Sequence, residues 1–141
     1  VSGTFEKRSI TAAAAQAVIS ACVAKADDRG GAFVIVVVDE SGVVKASVRM
    51  DGAPLISVQV ATDKAYTAAG FGMATDAWFN FVDGDAPLRL GAPTGIDRLV
   101  VFGGGYPLKE DDRIVGAVGV SGGHWSDDME VAKAGVEAFT K

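Results

Sequence analysis

Cysteine is almost missing from this chain: of 141 residues only Cys22 is one. A single thiol excludes an internal disulfide framework and any metal site built on a cysteine cluster. Histidine is as scarce, with His124 alone, so no nucleophile–base–acid set is visible. Positive charge runs short as well: 13 Lys and Arg stand against 18 Asp and Glu, a formal net charge of −5. Nucleic-acid binding needs a cationic face to neutralise phosphates, and no nucleic-acid partner is expected. Long hydrophobic runs are lacking too. The longest, Ala32 to Val38, falls far short of the roughly 20 residues a membrane-spanning helix needs, so no membrane partner is expected either. No basic stretch followed by a long apolar core opens the chain, so no signal peptide is read. A cytoplasmic location is expected, with a leader removed ahead of Val1 left open.

What remains is the composition of one soluble globular domain over 1–141, with 49% hydrophobic and 22% charged residues. Glycine is abundant, 18 residues, and it clusters at Gly30-Gly31, Gly103-Gly104-Gly105, Gly116, Gly119 and Gly122-Gly123. Each cluster lies at the edge of an apolar run or inside one, where glycine marks a tight turn or a close backbone approach.

Thr11 is a good N-cap for a helix running to about Lys25, with Ala14, Val18, Ala21, Cys22 and Lys25 on a narrow inner face. Ala32 to Asp39 reads as a buried strand, Asp39 to Gly42 as a turn, and Val43 to Met50 as its antiparallel partner. From Leu55 to Gly72 the period becomes helical and apolar nearly all round, as for a well-covered helix. A short helix capped by Thr75 is expected over Asp76 to Phe81, then an irregular loop from Pro87 to Asp97. Arg98 to Phe102, Tyr106 to Glu110 and Ile114 to Val120 read as strands. Ser126 caps a last helix with Asp127 and Asp128 in its first turn and an inner face of Val131, Gly135, Ala138 and Phe139. The expected fold class is α+β, an antiparallel five-stranded sheet with flanking helices.

Several residues could carry chemistry. His124 lies between a strand end and a helix start, where an imidazole can act as base or ligand, or simply sit on a surface loop. The N–H groups of Ser121-Gly122-Gly123 can hold a carboxylate or phosphate, although such turns also use glycine for geometry alone. Gly103-Gly104-Gly105 is a second turn of this kind, but no Gly-Lys-Ser/Thr follows it, and nucleoside triphosphate binding is rejected. Arg49 can clamp a carboxylate bidentately, while Asp51 can pair with it or cap the next helix. Lys64 sits among small and apolar neighbours. It either snorkels outward, holds an internal partner, or acts as a base with a desolvated amine. Cys22 reads as an inert buried thiol. Trp78, Phe79 and Phe81 form a cap over the core or a partner surface. No metal site is expected.

Two stretches together carry a resemblance. One is Arg49-Met50-Asp51-Gly52-Ala53-Pro54-Leu55 with Asp63-Lys64-Ala65-Tyr66-Thr67-Ala68. The other is Gly103-Gly104-Gly105-Tyr106-Pro107-Leu108 followed by Val115-Gly116-Ala117-Val118-Gly119-Val120-Ser121-Gly122-Gly123. Over about residues 10 to 140 the chain resembles the GlcG/HbpS family, which includes the C-terminal domain of PduO-type proteins. The resemblance implies a profilin-like fold assembled into homo-oligomers, in a family with haem-binding and corrinoid-linked members and links to small-molecule catabolism. It places a pocket near Asp51, Lys64, Thr67, Gly104 and Ser121 to Gly123. The cofactor stays unknown, with haem a candidate. Haem iron takes a His, Cys, Met or Tyr ligand, and His124, Met50, Met73, Tyr66 and Tyr106 lie near the glycine loops or helices.

Two functions follow as expectations. The first is a protein binding a small-molecule ligand, with haem or another tetrapyrrole leading. The ligand-binding residues are then Arg49, Asp51, Lys64, Thr67, Gly104, Gly105, Ser121, Gly122, Gly123 and His124. The alternative is an enzyme moving a proton on an organic acid or carbonyl compound, as in isomerisation or hydration, with His124 or Lys64 as catalytic base. Both require Lys64 and His124 to converge on one cavity.

Overall fold

An apolar strand with no polar alternation must be covered on both faces, and Val34–Asp39 (β1) is such a strand. In the computed structural model, which describes residues 2–140, β1 lies inside a four-stranded antiparallel sheet of order β2-β1-β4-β3. Its partners are Val44–Arg49 (β2) and Arg113–Ser121 (β4), and Gly105–Glu110 (β3) closes the far edge. The turns are those the sequence marks. Asp39 accepts from the Ser41 and Val43 N–H groups, and Asp111 and Asp112 take positive φ in the β3–β4 hairpin.

The two faces of β1 meet different helices. Phe33, Ile35 and Val37 join Val118 and Val120 under Ala12–Arg29 (α1) and Trp125–Thr140 (α5). Val34, Val36 and Val38 pack with Ala61, Ala65 and Ala68 of Ser57–Phe71 (α2) on the other side. The sheet therefore sits between a helix pair and a single helix. Glycine allows both layers to close tightly. A Cβ at Gly119 runs into the Ala61 carbonyl oxygen, and one at Gly135 falls 2.6 Å from Cys22 Sγ. Cys22 is fully buried between α1 and α5, and burial pushes its thiol up to about 12, so it is an inert thiol. Thr11 caps α1 by accepting from Ala14 N–H. The helix is rotated slightly from the expected face: Ala15, Val18, Ile19, Cys22 and Ala26 turn inward, while Lys25 reaches Glu130 at 3.7 Å.

Two elements differ from the sequence reading. The sheet has four strands, not five, because Arg98 to Phe102 does not pair. Arg98 takes φ 64, and Thr67 Oγ1 donates to Arg98 O and accepts from Val100 N–H, both at 3.0 Å. The segment is thus tied to α2 by a side chain instead of adding a strand. Second, Ala86–Gly95 is a helix (α4) and not an irregular loop. Asp85 caps it by accepting from Leu88 N–H, with Pro87 in the first turn where its missing N–H is harmless. Ahead of it Thr75–Asp83 (α3) forms as expected, but Thr75 is not its cap. Its buried hydroxyl accepts from Gly105 N–H and fixes the start of β3. No helix among the described residues is long and apolar enough to cross a membrane.

Candidate functional site

The interior of α2 puts a lysine where only small residues precede and follow it on the packed face. Lys64 is 0% exposed. Its Nζ donates to Asp128 Oδ2 at 2.8 Å and to Val120 O at 2.8 Å. The Asp128 carboxylate is buried as well, and its second oxygen accepts from Gly123 N–H at 3.0 Å. One ammonium thus links α2, the end of β4 and the start of α5. Burial pulls the Lys64 pKa below the ordinary lysine value, and the Asp128 hydrogen bond and charge oppose this in part. Gly104 completes the arrangement. With φ 125 it passes so close that a Cβ would stand 2.7 Å from Lys64 Nζ. Gly105 presses on the Lys64 backbone carbonyl in the same way, at 2.6 Å. Both glycines therefore pack against the lysine.

The β4–α5 turn follows from this anchor. Ser121 is buried, with its Oγ 3.0 Å from Ser57 Oγ. Gly123 N–H goes to Asp128, and His124 N–H goes to Asp127 Oδ2 at 3.2 Å. Two acids of the first turn of α5 thus occupy the N–H groups that a ligand anion would use at positions 123 and 124. Ser126 lies inside α5 and is not its cap. Its side chain instead holds the histidine, with Oγ 2.8 Å from His124 Nδ1 and its N–H donating to the same nitrogen at 3.2 Å. His124 is exposed, its ring 4.7 Å from that of Trp125, and Nε2 faces no protein partner among the described residues.

Around this turn lies a cleft of about 430 Å³. Pro54, Ile56, Val60 and Ser57 wall one side, and Ser121 to Trp125 the other, with Phe102 and Asp128 between. Lys64 stands behind that wall: it touches Asp128, and its Nζ is 5.1 Å from the Phe102 ring centre. His124 is at the rim. A second cleft of about 370 Å³ adjoins the first, since Phe102 and Trp125 line both.

The other expected site residues lie elsewhere. Thr67 borders a separate hollow with Tyr66 and Leu99 and holds the 98–100 segment. Arg49 ends β2 and Asp51 follows it in the next turn, both exposed; no ion pair joins them among the described residues, and α2 begins without a side-chain cap. Trp78 is buried, stacked on Phe71 at 4.1 Å and on Phe81 at 5.2 Å, while Phe79 and Phe81 stay exposed. No group of three or more His, Cys, Asp or Glu positioned for a metal ion occurs among the described residues. Sequence reasoning missed Asp128 as the partner of Lys64, and it missed Phe102 and Trp125 as the shared wall. The sole signal for Asp128 was an unpaired lysine needing an internal acid.

Comparison with known proteins places this geometry. The sequence model of haem-degrading HbpS-like proteins matches residues 10–137. A 15.0 kDa protein encoded between dhaT and dhaS in Citrobacter freundii is 36% identical over 94% of this chain and 93% of its own. The corrinoid adenosyltransferase PduO of the same organism is 34% identical over 84% of this chain, which spans only 36% of that longer protein. Among solved structures, Klebsiella pneumoniae ORFY superposes with a TM-score of 0.90 at 32% identity, covering 99% of this chain and 97% of that one. The PduOC–haem complex superposes at 0.83 with 30% identity, covering 92% and 94%. The chain belongs to the HbpS-like family.

Proposed function

We propose that this protein binds a tetrapyrrole, with haem the leading ligand, in the cleft beside the β4–α5 turn. The observation that carries the reading is the placement of the one histidine. His124 stands at the rim of an apolar cleft walled by Ile56, Val60, Phe102 and Trp125, and Ser126 fixes its ring. These residues fit the needs of a haem: an apolar wall for the macrocycle and a nitrogen donor for the iron. Ser126 N–H donates to Nδ1, so the neutral ring carries its proton on Nε2; iron is bound through Nε2 once that proton moves to Nδ1, where Ser126 Oγ stands ready to accept it. The other sequence candidates are worse placed. Met50 and Tyr106 are half-buried against the core, and the Arg98 guanidinium covers the Tyr66 ring at 3.8 Å. The relatives support the ligand class, since PduOC has been solved with haem.

The proton-transfer alternative loses one of its two bases in this geometry. The Lys64 amine is fully buried and donates to two acceptors, so it offers no accessible lone pair. Titrating the purified protein with haem tests the tetrapyrrole reading. The expected result is a saturable Soret shift whose band position and affinity both change in His124→Ala, with affinity falling at least about tenfold for the loss of an axial ligand. A titration with no Soret shift, or an identical one in the variant, overturns it.

A further inference from the structure

The second cleft has a chemistry of its own. Its walls are the side chains of Phe79, Phe102, Trp125 and Met129, and Asp76 is the one charged residue that lines it, with Asn80 one helical turn further along α3. Asp76 lacks a full set of partners. Its Oδ1 is buried without any hydrogen-bond partner, and Asp76 appears in none of the ion pairs among the described residues. That oxygen is sealed from solvent, so the cleft is presented with the charge of the half-buried Asp76 carboxylate and not with Oδ1 itself. The negative charge is also felt nearby. The Tyr106 hydroxyl, itself without a partner, is pushed up to about 12, by burial first and then by Asp76.

Aromatic walls and a single carboxylate select for one kind of ligand. An organic cation is attracted by ring faces and by the acid together, whereas an anion meets only repulsion. At roughly 30 Å³ for each water-sized group, the cleft holds about a dozen such groups, enough for a small amine and short for a peptide. We propose that this cleft is a binding site for a small organic ammonium ion, with the Asp76 carboxylate as counter-charge and Phe79, Phe102 and Trp125 as its aromatic walls. The site uses Asp76 and α3, not His124, and it stands whether or not the neighbouring cleft takes a tetrapyrrole.

The test is a titration of the full chain with tetramethylammonium and n-butylammonium chlorides against tert-butyl alcohol, a neutral molecule of similar shape to the first. Sodium chloride holds ionic strength constant. Tryptophan fluorescence reports on Trp125 together with Trp78, which lies outside the cleft, and amide chemical shifts report on Asn80 and Gly103. Saturable binding of the ammonium ions is expected, at least about tenfold tighter than the alcohol, and Asp76→Asn should weaken the ions by about the same factor while leaving the alcohol unchanged. Phe79→Ala should weaken the ions severalfold; that ring is 47% exposed, so its removal leaves the fold intact. Equal binding of alcohol and ammonium, or ions that bind Asp76→Asn as they bind the native chain, overturns the proposal. Should Asp76→Asn fail to fold, the alcohol comparison on the native chain and the Phe79→Ala titration decide it, and an unchanged affinity in either overturns it.

Discussion

Removing the Lys64 ammonium leaves the Asp128 carboxylate buried with the Gly123 N–H as its remaining partner. An uncompensated buried charge is costly, so Lys64→Met should lose about 3–5 kcal/mol in urea denaturation. Lys64→Met with Asp128→Asn should recover most of that loss, because the neutral amide still accepts from Gly123. A single-variant loss below about 1 kcal/mol would mean that the pair is hydrated and not sealed. The pH dependence carries a definite sign. Burial holds the folded Lys64 pKa below the ordinary 10.5, so the folded protein releases this proton before the unfolded chain does. Between the folded pKa and 10.5 the unfolded state binds more protons, and this group makes stability rise with pH; below the folded pKa its contribution is flat. Urea midpoints along that alkaline limb should therefore climb more steeply in the native protein than in Lys64→Met. The lysine itself was legible, since a charge among alanines needs a special partner. Its partner was not. Asp128 lies 64 residues away in the chain and reads, by position, as an ordinary acid at a helix N-terminus.

At the scale of elements, the strands and long helices were readable because period and turn chemistry agree there, as in Asp39 to Gly42 and Asp111-Asp112. The region from 85 to 102 was not, for two reasons. The α4 sequence contains Pro87, Gly91, Pro93 and Gly95, which weigh against helix, and only the Asp85 cap and the covering of Ala92 argue for it. Arg98 to Phe102 carries a strand-like apolar run, yet its hydrogen bonds go to the Thr67 hydroxyl. That choice is set by tertiary contact, which periodicity does not register. Thr67→Val keeps the shape and strands the Val100 N–H, a buried donor, so it should cost about 1–3 kcal/mol and raise hydrogen exchange at 98–102 before other segments. Asp85→Ala removes the cap of an exposed helix and should cost about 1 kcal/mol, with faster exchange confined to α4. Uniform exchange changes across the sheet in either variant would show that this region does not behave as an appended unit. Gly119 belongs to the opposite class. A methyl group there meets the Ala61 carbonyl across the α2–β4 contact, so Gly119→Ala should cost about 3 kcal/mol or more, read as a lowered urea midpoint.

The whole molecule adds a field that no single contact supplies. Its net charge is −5, and Asp76 lines one cleft, whereas Asp127 and Asp128 at the turn that carries His124 are ion-paired with Arg29 and Lys64, so the His124 cleft feels chiefly the net charge of the whole protein. A tetrapyrrole bearing carboxylate side chains approaches against that field, whereas an organic ammonium approaches with it. Salt shortens the reach of such a field from about 30 Å at 0.01 M to about 8 Å at 0.15 M ionic strength. The two ligand classes should therefore respond to sodium chloride with opposite signs. Stopped-flow mixing with the carbon monoxide adduct of reduced haem, which stays monomeric, should give an association rate that rises as salt is added. Tetramethylammonium affinity should fall over the same range, since screening weakens its attraction to the acidic surface. If haem instead associates faster at low salt, a local positive potential outweighs the net charge along its approach. The sign of the salt effect thus tests at the level of the whole protein what His124→Ala and Asp76→Asn test one residue at a time.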